Sequence, residues 1–111
     1  MIKIYEDLED LNIPVYAEGD APESLPDQYF TFHEDYTSGH VFADNAEKSI
    51  EYEFTLKYYT KNAETLYSGL LSAMQLLKSK GYITSGVGYA NEAYRDTWLS
   101  RRADIKKIEY L

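Results

Sequence analysis

The chain has 111 residues, 44% of them hydrophobic and 27% charged, and eleven Lys and Arg stand against nineteen Asp and Glu for a net charge of −8. That is one domain's length, enough to bury about 65% of the unfolded surface around a single core and too apolar for disorder throughout. With no cysteine there is no disulfide framework and no thiolate zinc site, and the acidic balance argues against nonspecific binding to nucleic acid or to an anionic membrane.

The opening "MIKIYEDLED" lacks the basic and apolar stretches of a signal peptide. No apolar run approaches the length that spans a bilayer. Together with the missing cysteines, this reads as a cytosolic protein. Ile4, Leu8 and Leu11 fall at helical spacing among acidic residues. Asn12 offers a left-handed stop and Pro14 forbids continuation, so a short amphipathic helix is predicted. "IPVYAE" reads as a short strand, and "GDAPESLPDQ" as an exposed loop of turn-forming residues.

In "YFTFHEDY", Phe30 and Phe32 alternate with Thr31 and His33, the pattern of a strand. "TSGHVFADNAEKS" reads as a loop or loose hairpin tip joining Tyr36 to Ile50. From about Ser49 to Thr60 the alternation is long and regular. Ile50, Tyr52, Phe54, Leu56 and Tyr58 share one face, while Glu51, Glu53, Thr55 and Lys57 share the other. Such a strand reaches roughly 40 Å, against a usual length of about 5–6 residues. It must bend, bulge, or project beyond its own core.

A long helix follows directly. Leu66, Tyr67, Leu70, Leu71, Met74 and Leu77 form its apolar stripe, Asn62 is its N-cap, and Gly81 suits the left-handed position after its end. "YITSGVGYANEAY" then reads as a weak strand with bends at Gly86 and Gly88. In the closing "SRRADIKKIEYL", Ala103 and Ile105 are out of phase with Ile108 and Tyr110, which predicts a bulge near Lys106 and Lys107. The order of elements predicts an α+β fold: a mainly antiparallel mixed sheet of four to five strands, packed by a short N-terminal helix and one long central helix. Residues 1–111 are read as a single domain.

No constellation points to catalysis. His33 and His40 lie near Glu34, Asp35 and Asp44, but their spacing matches no metal signature, and His33 and Glu34 point to opposite faces of a strand. No nucleophile elbow is present, and the "GVG" at Gly86–Gly88 is no phosphate loop. The expectation is a non-enzyme without metal or cofactor.

The twelve tyrosines carry more information. Sheet propensity accounts for several. Tyrosine and tryptophan are also enriched where proteins meet. Tyr59 is expected to face outward from the long strand, and Trp98 to sit at a strand end. Arg101, Arg102, Lys106 and Lys107 form a basic cluster in an acidic chain. Ordinary alternation along an exposed strand explains it; head-to-tail contact with the acidic surface of a second copy explains it too.

"LNIPVYAEGDAPESLPDQYFTF" joins a short helix to a strand through an acidic, proline-bearing loop. "SIEYEFTLKYYTKNAETLYSGLLSAMQLLKSKGY" adds a long strand and a long helix, and "SRRADIKKIEYL" closes the chain. In element order, length and texture this ensemble resembles the tail completion (tail terminator) proteins of long-tailed phages and of prophages of Gram-positive bacteria. The resemblance covers most of the chain and contains no catalytic motif. It implies an α+β fold and a ring, commonly a hexamer, that caps the finished tail tube and offers a docking surface to the head's connector or head completion protein. It implies residence in the neck of the virion, with the host cytoplasm as the place of assembly.

In that setting the interface candidates are Tyr59, Trp98, Arg101, Arg102, Lys106 and Lys107. The candidates for lining a channel through which DNA passes without being gripped are Glu34, Asp35 and Asp44. The expected partners are other copies of the chain, the tail tube protein and the head connector, with no membrane involved. Three other readings compete: a head completion or minor capsid component of the same joining zone, a small acidic inhibitor that mimics DNA, and a small enzyme, which a polar pocket in the structure would mark.

Overall fold

The computed structural model describes residues 4–41, 48–84, 86–91 and 98–110. The fold is α+β, with a six-stranded, mostly antiparallel mixed sheet, one long helix and a short N-terminal helix. Helix α1 is Ile4–Asp7, and a 3-10 turn at Glu9–Leu11 extends it to Asn12, whose φ of 55° ends the helical path. Strand β1 (Val15–Ala17) follows. Strands β2 (Gln28–Val41) and β3 (Lys48–Thr60) are the two long ones. A 3-10 turn, Ala63–Thr65, leads into α2 (Leu66–Ser79). Strands β4 (Ile83–Thr84), β5 (Tyr89–Asn91) and β6 (Leu99–Tyr110) complete the sheet.

The sheet runs β1-β2-β3-β6-β4, and β5 also pairs with β6. Only β1 and β2 are parallel. Strands β2, β3 and β6 form a central ribbon of strands far longer than usual. The stretch expected as a loop after Tyr36 is therefore strand as far as Val41. Pairing with a partner as regular as β3 holds even a Gly- and Ser-containing segment extended. Residues 42–47, with the channel candidate Asp44, lie outside the described residues. Two short strands replace the single weak one expected after Gly81, because Gly86 (φ 68°) and Gly88 (φ 76°) turn the chain between them.

The expected bulge in β6 is absent. The register between β3 and β6 is unbroken from Ser49↔Tyr110 to Thr60↔Leu99. Ala103 and Ile105 are buried on the helix side, whereas Ile108 takes a register position on the opposite face. The change of phase marks the place where helical cover ends and neither face of the strand must be apolar. The bulge lies instead in β2, where the register shifts between Glu34 and Tyr36 and leaves Asp35 as the extra residue.

Helix α2 lies across one face of the ribbon. Leu70, Ala73, Met74 and Leu77 meet Phe30, Phe54, Leu56, Tyr58, Ala103 and Ile105, while Ile4 and Leu8 of the N-terminal segment join the same core. The stripe is rotated slightly from its expected position: Ala73 is buried and Tyr67 is exposed. Asn62 caps the helix start by accepting the Glu64 N–H at 2.9 Å. At Gly69 the helix comes so close to β3 that an added Cβ would overlap the Tyr58 ring.

Fourteen helical residues cover about 21 Å, and thirteen strand residues extend about 43 Å. The sheet therefore outruns its cover. The molecule measures 54 × 26 × 24 Å, with a radius of gyration of 15.3 Å, where a compact chain of this length has about 13 Å.

Candidate functional site: the open sheet face and the projecting ribbon

Alternation along the ribbon gives the face opposite α2 a polar set of side chains: Glu51, Glu53, Thr55 and Lys57 from β3, and Arg102, Asp104 and Lys106 from β6. They are organised into a chain of contacts. Lys57 Nζ donates to Glu18 Oε1 at 2.8 Å, and His33 Nδ1 lies 3.3 Å from Glu18 Oε2. The Lys57 hydrogen bond holds the Glu18 carboxyl below its ordinary pKa. Asp35, at the bulge, accepts from the Thr55 hydroxyl and lies 3.8 Å from His33 Nε2. Lys106 Nζ sits between Glu53 (3.4 Å) and Glu51 (3.6 Å), which raise its pKa. Tyr89 donates to Asp104 at 2.9 Å. Burial and that carboxylate push the Tyr89 phenol up.

Between β2 and β4 this face forms a groove of about 640 Å³. Asp35, Glu51, Glu53 and Asp104 line it together with the apolar Ile83 and Ile108. Four carboxylates against one lysine make it electrically negative. Each of those carboxylates is already engaged by Thr55, Lys106 or Tyr89. Such a surface repels phosphate. Among the described residues no three His, Asp or Glu are placed to hold a metal ion.

The basic residues of β6 do not form one patch. Arg101 and Lys107 stand on the helix side, and Arg102 and Lys106 on the open side, as their partners Tyr58, Tyr52, Lys57 and Glu53 require. Arg101 stacks over Tyr67 at 4.7 Å and donates to the Val87 carbonyl at 3.4 Å. Arg102 stacks over Tyr89 at 4.6 Å. Lys107 donates to the Lys80 carbonyl at 3.0 Å, next to the Tyr82 ring at 4.4 Å. Neighbours in sequence on a strand are separated by the sheet itself.

Tyr59 points away from the helix, as expected, but it is not exposed. It stacks on Tyr29 at 4.8 Å, and Trp98 meets Tyr29 edge-on at 5.3 Å. Tyr16 and Leu25 pack on this second cluster, and Lys61 sits 5.1 Å above Trp98. Both candidates are thus covered by their own chain, at 8% and 4% exposure. The paired aromatics Tyr29–Phe30 and Tyr58–Tyr59 carried that signal, since consecutive strand residues place one ring on each face.

The two described channel candidates fall on opposite faces as well. Glu34 pairs with Phe54 on the helix side and accepts from Thr37, while Asp35 belongs to the open, acidic face. The exposed large hydrophobic side chains among the described residues are Tyr5, Tyr67, Ile83, Val87, Tyr89, Leu99 and Tyr110.

Compared with known proteins, the chain matches no protein-family model and no curated sequence to a significant degree. No described helix is long and apolar enough to cross a membrane.

Proposed function

We propose that this protein is a structural joining component of a long-tailed phage particle, a tail completion protein that closes the tail tube as a ring and receives the head. The observation that carries the reading is the ribbon. Three strands continue past the helix that would bury them, and a small chain gains nothing in its own core from that length. Surplus strand supports contact with other copies, because an open edge is a template for pairing.

The acidic open face supports the same reading. In a ring with that face turned inward, Asp35, Glu51, Glu53 and Asp104 line a passage that DNA crosses without adhering. Glu34, on the helix side, takes no part in that lining. The exposed Tyr67, Tyr89 and Tyr110, with Arg101 and Arg102 behind the first two, have the composition of protein contact surfaces. Tyr59 and Trp98 act as internal support. The work of this chain is contact, with the tail tube protein below and the head connector above, and the ring is expected to be a hexamer.

Electron microscopy of particles assembled without this protein is the test. Overlong tails, or tails detached from heads, support the reading. Tails of normal length without heads move the protein to the head side of the joint. Normal, joined particles overturn the proposal.

A further inference from the structure

Among the described residues, the two outer edges of the ribbon are open at the same height. On the β2 side, β1 covers only Phe30 to Phe32, and the Glu18 N–H closes the Phe32 carbonyl. From His33 to Val41 no described strand lies outside β2. On the β6 side, β5 covers Ser100 to Arg102, and β4 reaches only to Lys106. From Lys107 onward no described strand flanks β6. Thr37, Tyr52 and Lys107 form one row across the sheet, so the open part of β2 stands level with the open part of β6. Both strands are antiparallel to β3 and therefore run in the same direction.

We infer that copies of this chain join edge to edge, the β2 edge of one copy pairing in parallel with the β6 edge of the next. The inference rests on the self-association proposed above and names the surfaces that carry it. Charge selects this pairing. From Gln28 to Val41 the β2 edge contains Glu34 and Asp35 and no lysine or arginine. The open β6 edge, Lys107 to Tyr110, carries Lys107 and Glu109, with Lys106 just beside it under β4. Two β2 edges brought together repel, whereas a β2 edge set against a β6 edge brings Glu34 and Asp35 toward Lys107 and the neighbouring Lys106. Glu34 of one copy then lies diagonal to Lys107 of its neighbour on the helix side.

The contact is heterologous, because it joins two different surfaces of the same molecule, and it closes only if the rotation between copies closes. A rotation about an axis parallel to the strands moves the sheet sideways without changing height, as level edges require. The result is a continuous sheet around a lumen. Four residues of β6 edge limit the hydrogen bonds per junction to a few. Association is therefore expected to be reversible for a single pair and cooperative in the closed ring.

The chain has no cysteine, so paired thiols report the contact directly. In Thr37→Cys/Lys107→Cys, the two thiols of one chain are separated by β3. That places them roughly 10 Å apart, beyond disulfide reach. Mild oxidation of the concentrated protein is expected to give a ladder of disulfide-linked multimers ending in a covalently closed species. Each single variant should stop at a minor dimer. A mixture of E34K/D35K with K106E/K107E should associate more strongly than either alone, because each alone meets like charge at every junction.

Three outcomes separate the claims. Multimers without the disulfide ladder overturn the edge pairing and leave self-association standing. A ladder, together with normal joined particles in the absence of the protein, overturns the tail-joining function and leaves the edge pairing standing. A monomer without a ladder at every concentration overturns the inference, and the charged bulge then serves to keep the edges apart.

Discussion

At the level of Leu56 the ribbon is closed on the helix side: Leu56 and Ala103 are buried beneath α2. Six residues away on the same strand, at Ile50, the row reads Gly39, Ile50 and Glu109, and Ile50 is only half-buried. Both levels share the same hydrogen-bonded ladder. They differ in what lies above it. Strand pairing is supplied by backbone and carries on wherever a partner strand exists, whereas burial requires a covering element, and on this face the helix supplies it at Leu56 more fully than at Ile50. One end of the sheet therefore specifies the fold, and the other is available for contact with other molecules.

The sharpest way to test that contrast is to cut the core at its centre. Leu77→Ala should cost about 2–5 kcal/mol, the range for a fully buried leucine. Ile50→Ala on the ribbon should cost under about 1 kcal/mol. Urea denaturation of both variants checks the ordering, and equal losses would mean that the two ends are equally part of the core.

Next is the closest approach of helix and sheet. Gly69→Ala should destabilise by about 1–3 kcal/mol, since its Cβ must displace the Tyr58 ring. Replacing Tyr58 by leucine should recover part of that loss, which a double-mutant cycle reads directly.

A smaller effect belongs to the tie between α1 and the end of α2. Tyr82 donates to Asp7 Oδ2 at 2.6 Å. Burial, with Asp7 beside it, pushes the phenol's pKa well above the ordinary 10. The neutral phenol is the form the fold prefers. Its contribution is complete below about pH 10 and is lost as pH rises toward the folded value. Tyr82→Phe should cost about 1–2 kcal/mol at neutral pH and flatten the alkaline fall in stability, as measured by thermal melts across pH.

The smallest effect is on the open face. Glu18 is held below its ordinary pKa by Lys57, so its contribution is present above the carboxylate range and disappears as pH falls through the folded value. The pair is partly exposed, and Glu18→Gln should cost under about 1 kcal/mol. The variant should lose less stability than the parent on acidification, and melts at acidic pH would show it.

The covered end was legible in the sequence because burial leaves periodicity. Leu56, Tyr58, Leu70 and Met74 repeat at the spacing of their elements, and Asn62, Gly81 and Asn12 mark the ends of the helical segments. The ribbon end was less legible for the complementary reason. Where side chains such as Ile50, Tyr52 and Ile108 are only half-buried, alternation is less strictly enforced, so Thr37 to Val41 looked like a loop and Ile108 looked like a slipped register. The basic run from Arg101 to Lys107 looked like one patch because sequence distance hides the sheet that divides it. Tyr59 and Trp98 looked exposed because their cover, Tyr29 and Leu25, comes from a segment thirty or more residues earlier in the chain.

Native mass spectrometry of the purified protein over a wide concentration series tests the central claim most directly, that the end of the sheet beyond the helix joins copies of the chain. A single closed multimer that grows at the expense of monomer as concentration rises is the predicted result. Monomer at every concentration would contradict it.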